Sequence, residues 1–105
     1  MVEMMLVVFV PHKSLDLVKD ALFRVGAGEV GNYKHCAWET RGLGQFIPKK
    51  DALPHIGSME QKSCVEEMRL EIPCPKALIG LIKETLYTCH PYEEPVFYFV
   101  NMDLL

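Results

Sequence analysis

The chain has 105 residues, half of them hydrophobic and about a quarter charged, a balance that suits one domain over residues 1–105 with a single core and argues against intrinsic disorder. Eleven Lys and Arg against fourteen Asp and Glu leave a net charge of −3, the wrong sign for holding phosphate backbones by bulk electrostatics. The longest apolar run, residues 4–10 after Glu3, falls far short of the roughly 20 residues that span a bilayer and lacks a basic leader.

The expectation is therefore no membrane segment, no secretory signal and a cytoplasmic location. In that compartment Cys36, Cys64, Cys74 and Cys89 are expected as free thiols. They contain no Cys-x-x-Cys pair, the usual spacing of a structural zinc site.

Residues 4–10 form a continuous β-leaning run closed by Pro11, the pattern of a strand buried on both faces. Ser14 is placed to cap a helix whose apolar stripe is Leu15, Val18, Leu22 and Val25, and Gly26 follows at the C-cap position. Residues 30–40, carrying Tyr33, Cys36 and Trp38, are expected as a second strand with partial alternation. Residues 41–57 hold Gly42, Gly44, Pro48, Pro54 and Gly57, too many breakers for a regular element, and a loop of this length in a small domain is more often functional than idle.

From 64 to 72 the pattern alternates as a third strand, with Met68, Leu70 and Ile72 inward and Glu67, Arg69 and Glu71 outward. Pro73 and Pro75 are expected to break it. Pro75 suits the first turn of a second helix, in which Leu78, Leu81 or Ile82, Thr85 and Leu86 make the stripe, ending near Cys89-His90 before Pro91. Residues 96–100 are the last strand.

The order β-α-β-β-α-β specifies an α+β fold, the ferredoxin-like two-layer sandwich with an antiparallel sheet. Right-handed crossovers put both helices on one face of the sheet. The other face is bare, yet the first and last strands are apolar at nearly every position. A second copy of the subunit is the economical cover, so a homo-oligomer is expected.

Gly26-Ala27-Gly28-Glu29-Val30-Gly31 matches the dinucleotide fingerprint, but it leaves a helix and enters a strand, the reverse of the context that holds a pyrophosphate. Arg41-Gly42-Leu43-Gly44-Gln45-Phe46 lacks the aromatic residues of an RNA-binding strand, so no nucleic-acid partner is expected. His35-Cys36 is a soft pair whose side chains point to opposite faces of a strand. His90-Pro91-Tyr92-Glu93-Glu94-Pro95 confines an imidazole, a phenol and two carboxylates between prolines, a set able to ligate a cation or hold a small polar ligand. No Gly-x-Ser-x-Gly, His-Glu-x-x-His or P-loop is present, and nothing marks a catalytic nucleophile.

Four ordered segments carry a family resemblance: Gly26-Ala27-Gly28-x-x-Gly31-x-Tyr33-x-x-Cys36, Gly42-x-Gly44-x-Phe46-x-Pro48, Val65-Glu66-Glu67-x-Arg69-x-Glu71, and the His90 to Pro95 hexapeptide. Together they resemble the inserted domain of the NGG1p-interacting-factor-like (YqfO) family, whose fold resembles the CutA and PII trimeric signalling proteins. In longer members this module interrupts a protein with a dinuclear metal site, whose ligands belong to flanking halves that 105 residues do not hold. The hydrolase or cyclohydrolase label is therefore not transferred.

The resemblance implies a CutA/PII-like subunit, a trimer, and a regulatory or sensing role. Where the family pattern has a glycine and an acidic residue, this chain has Glu60-Gln61-Lys62-Ser63. The positions carried over as ligand-binding are Tyr33, Cys36, Gly42, Gly44, Phe46, Glu66, Arg69, Glu71, His90, Tyr92 and Glu93, with His90 and Glu93 as candidate ligands of a divalent metal. The expected function is a non-enzymatic oligomeric sensor of a ligand or metal. The alternatives are a subunit that docks on another protein and a small metal-dependent hydrolase.

Overall fold

The computed structural model describes residues 2–54 and 56–103. Its frame is a four-stranded sheet of β1 (Met4–Pro11), β2 (Trp38–Phe46), β3 (Ser63–Cys74) and β4 (Phe97–Asn101) in the order β2-β3-β1-β4. Every neighbouring pair is antiparallel. Helices α1 (Leu15–Arg24) and α2 (Ile79–Cys89) complete the β-α-β-β-α-β order, and the fold is the expected ferredoxin-like α+β sandwich.

Register builds the core. Leu6 lies between Ile72 and Phe99, and Val8 between Leu70 and Phe97, so residues two apart along β1 share one face. Onto that face α1 brings Leu15, Val18 and Leu22 and α2 brings Ile82 and Leu86, all buried. The stripe of α2 runs through Ile82, while Leu81 is exposed. Met68, Leu70 and Ile72 are inward as the alternation of β3 predicts.

Local entries and exits differ from the sequence reading in instructive ways. Ser14 makes no side-chain cap; a single 3-10 turn at His12–Ser14 leads into α1, and the Leu15 amide donates to His12 O. Pro75 precedes α2 by a similar turn, Lys76–Leu78, whose Lys76 amide donates to the Glu3 carboxylate at 3.1 Å. The glycines after α1 form its exit turn, as expected: Gly28 sits at φ +88, where a Cβ would lie 2.9 Å from the Phe23 ring and 3.0 Å from Cys36 O. Its amide donates to Pro73 O and its carbonyl accepts from the Cys36 amide, both at 2.8 Å.

Those two bonds displace the second strand. It was expected at 30–40, but Val30 and Tyr33 close a small turn and β2 runs from Trp38 to Phe46, taking in Gly42 and Gly44 that had been read as loop. A glycine keeps its N–H and can pair in a ladder, whereas a proline cannot, so β2 stops short of Pro48 and not at its glycines. Pro73 likewise does not break β3: it pairs with Met5, and its free carbonyl accepts the Gly28 amide.

The second face of the sheet carries no helix. Met5, Val7 and Phe9 of β1 lie on it, flanked in register by Tyr98 and Val100 on one side and by Arg69, Glu71 and Pro73 on the other, with Trp38 opposite Glu71. Val7 is only 1% exposed, but Trp38 is 69%, Tyr98 41% and Val100 45% exposed. All four cysteines are free. Among the described residues no helix is long and apolar enough to cross a membrane.

Leu70, fully buried at the centre of the register, tests this core. Leu70→Ala should lower the urea-unfolding free energy by about 2–5 kcal/mol, the usual cost of a cavity at a fully packed site. The exposed Leu43→Ala should change it by no more than about 0.5 kcal/mol.

Candidate functional site

The site grows from one imidazole. α2 ends at Cys89, and the next residue, His90, is buried at 6% exposure. Its Nε2 lies 2.7 Å from Phe9 O, and its Nδ1 accepts the Tyr92 amide at 3.1 Å. Accepting through Nδ1 leaves the proton on Nε2, which donates to Phe9 O. The ring thus ties the segment after α2 to the end of β1 and forces a turn that brings Tyr92 back over the sheet.

The Tyr92 hydroxyl then donates to Glu67 Oε2 at 2.6 Å. Burial, with the Glu67 carboxylate as hydrogen-bond acceptor and negative neighbour, pushes the Tyr92 phenol well above the usual tyrosine range. Across the ladder Glu67 leans over Gly44, where a Cβ would collide with Glu67 Oε1. Gly44 is therefore the one residue type that leaves room for this carboxylate.

Around this constellation lies a cavity of about 410 Å3, within the range of small-molecule sites. Phe9, Phe46, Tyr92 and Val96 supply apolar wall, and Pro48, Ala52, Pro54 and Ile56 of the loop after β2 supply the rest. Glu67, Glu93 and Glu94 also line it. The loop is held by the Leu53 amide, which donates to Glu93 Oε1 at 3.0 Å, and by the Glu60 amide, which donates to Pro48 O at 2.6 Å.

Of the residues singled out from sequence, Gly44, Phe46, Tyr92 and Glu93 line this cavity, and His90 stands behind it as the tie. Gly42, Arg69 and Glu71 lie on the same face of the sheet but outside the cavity: Gly42 pairs with Glu67, and Arg69 bridges Glu71 at 3.5 Å with its guanidinium 6.0 Å from the Phe9 ring centre. Glu66 points to the opposite face and makes a 3.8 Å ion pair with Arg41. Cys36 sits at the Met5 end of β1, tied through Gly28 to Pro73, away from the Phe9 end, and Tyr33 pairs with Val30 in the turn just before it.

His90 and Glu93, the candidate metal ligands, are each engaged within the chain. Both imidazole nitrogens serve backbone groups and Glu93 holds Leu53. No group of three or more His, Cys, Asp or Glu gathers to hold an ion among the described residues. Sequence reasoning missed Glu67, Glu94 and Phe9. The signal for Glu67 was available, because strand alternation puts it, and not Glu66, with Arg69 and Glu71.

The phenol supplies a test. A group whose folded pKa is raised stabilises the fold below its unfolded value near 10 and loses that contribution as pH climbs above it. In an ultraviolet titration one of the four tyrosines should stay protonated until the alkaline unfolding transition, and Tyr92→Phe should remove that silent component. Gly44→Ala should displace Glu67 and lower the pH at which Tyr92 ionises; a Tyr92 that ionises near 10 in the wild type would refute the arrangement.

No family model matches the chain. A GTP cyclohydrolase 1 type 2 homolog of Mycobacterium leprae is 38% identical over 91 residues, which cover 87% of this chain and 24% of that protein. The solved structure of a Bacillus cereus protein related to NIF3 superposes with a TM-score of 0.83 at 34% identity, over 98% of this chain and 26% of that one. CutA1 from Pyrococcus horikoshii superposes with a TM-score of 0.71 at 14% identity, over 97% of this chain and 85% of that one, which speaks to the fold. The chain spans about a quarter of the curated relatives it matches, and over that quarter it is the CutA/PII-like domain of the NGG1p-interacting-factor-like (YqfO) family.

Proposed function

We propose that the chain is a non-enzymatic, oligomeric domain that senses a small ligand in the cytoplasm. The observation that supports this reading is the cavity itself: three stretches far apart in sequence, residues 44–56, Glu67 and residues 92–96, converge on one apolar concavity with a few fixed polar groups. That is the general build of a small-molecule site. Among its described lining residues none is a nucleophile paired with a base, and binding is the chemistry they support.

The oligomer rests on the helix-free face. Tyr98 and Val100 of β4 form an exposed apolar strip beside the buried Val7, Trp38 stands exposed on β2 across Glu71 on the same face, and β2 and β4 are open sheet edges. A copy of the same chain, in a trimer, covers such a strip without any further element. The same strip supports a second reading, docking on a different protein.

Two measurements test these proposals. Light scattering at micromolar concentration should report a whole multiple of 12.0 kDa, three being the expectation, and Trp38→Glu with Tyr98→Glu should return it to the single-chain mass with an unchanged circular dichroism spectrum. A wild type that scatters as 12.0 kDa overturns the oligomer. For the cavity, a panel of nucleotides, organic amines and divalent cations should include a class that raises the melting temperature by mass action, and Glu93→Ala should abolish that rise while leaving the oligomer intact. A panel with no effect overturns ligand sensing.

A further inference from the structure

The class of ligand can be narrowed from the walls of the cavity. Among its described lining residues there are three carboxylates, Glu67, Glu93 and Glu94, and no Lys or Arg. Glu67 lies in the wall, held by the Tyr92 hydroxyl, while Glu93 and Glu94 are exposed at the mouth. Glu94 is exposed and makes no hydrogen bond or ion pair among the described residues. Between mouth and wall stand the Phe46 and Tyr92 rings, centroids 6.4 Å apart and tilted by 56°, a corner of two π faces. Phe9 carries the Arg69 guanidinium 6.0 Å from its ring centre, so a cation already stands beside one ring of this cavity.

We infer that the cavity binds an organic cation, a protonated amine carried on an apolar or aromatic body, and discriminates against phosphate-bearing ligands. The inference rests on the ligand-sensing reading above and specifies its ligand. An ammonium group meets carboxylates at the mouth and aromatic faces inside, both attractive to positive charge. Its hydrocarbon part fills the space between Pro48, Pro54 and Ile56, where water has few polar partners. A nucleotide phosphate would enter against three negative charges with no lining Lys or Arg to receive it. Lys49 and Lys50 follow Pro48 in the chain but are exposed and outside the lining. A bare divalent ion is also poorly served, because Glu67 and Glu93 already accept internal hydrogen bonds and no set of three ligands converges among the described residues.

The test is amide-resolved NMR titration of the full chain with three probes of matched or contrasting chemistry: phenethylammonium chloride, its neutral analogue phenethyl alcohol, and AMP. Phenethylammonium should shift the amides of residues 44–46, 52–53, 92–94 and 96 in a saturable manner and bind at least about fivefold more tightly than the alcohol, the difference shrinking as sodium chloride is raised. Glu94→Gln should weaken the ammonium probe by about three- to tenfold and leave the alcohol unchanged. If the alcohol binds as tightly as the ammonium, or AMP binds more tightly than either, the cavity is a ligand site of another class and the cation inference is overturned. If no probe moves the cavity amides, the ligand-sensing reading falls with it.

Discussion

The site depends on one buried imidazole that spends both of its nitrogens on backbone. His90 donates to Phe9 O and accepts from the Tyr92 amide, bonds between segments 81 residues apart on one side and two apart on the other. The long bond fixes where α2 ends relative to β1, and the short one fixes how the chain turns afterwards. Pro91 and Pro95 limit the backbone on either side, so few conformations compete with the one the imidazole selects. The Tyr92 hydroxyl, Glu67 and the bare Cα of Gly44 then follow in a fixed order, each needing the one before it. A ring that stands in for two missing backbone partners in this way is structural in its bonds and functional in its consequences.

The sheet sets where that chain of contacts can open to solvent. β1 is central and buried, and its core-facing residues are clamped by both helices. The cavity therefore forms on the other face, at the end of β1 where Phe9 leaves the ladder with β4 and pairs only through its amide to Val96 O at 3.3 Å. Loss of regular pairing there frees space that the loop after β2 roofs with its prolines. At the opposite end, the glycine turn after α1 is locked to Pro73 and Cys36.

Much of this was legible in the sequence wherever period and hydrophobicity agreed: both helices, β1, β3 and β4 stand where alternation and the three- and four-residue steps put them. The strand with the weakest pattern moved. Gly42 and Gly44 read as breakers by composition, but a glycine forfeits packing and not pairing, and the register with β3 decided the matter. The hexapeptide from His90 was legible as unusual but not as to role, since a sequence cannot say that both ring nitrogens will meet backbone. Glu66 stood in for Glu67 because the motif was carried over as letters; the two-residue period of the strand sorts those neighbours to opposite faces.

Phe9 joins the two features that the fold leaves unfinished. Its ring belongs to the helix-free face, 6.5 Å from Tyr98, and also to the wall of the cavity. Its carbonyl is the acceptor that holds His90. Anything that covers Tyr98 changes the freedom of the Phe9 ring, and anything that fills the cavity presses on the same ring from its other side. Coupling between two sites needs a shared element on which both act, and it is reciprocal where it exists. A side chain packed between Tyr98, Arg69 and the cavity, with its backbone anchoring the imidazole, places such a shared element where the helix-free face meets the cavity wall.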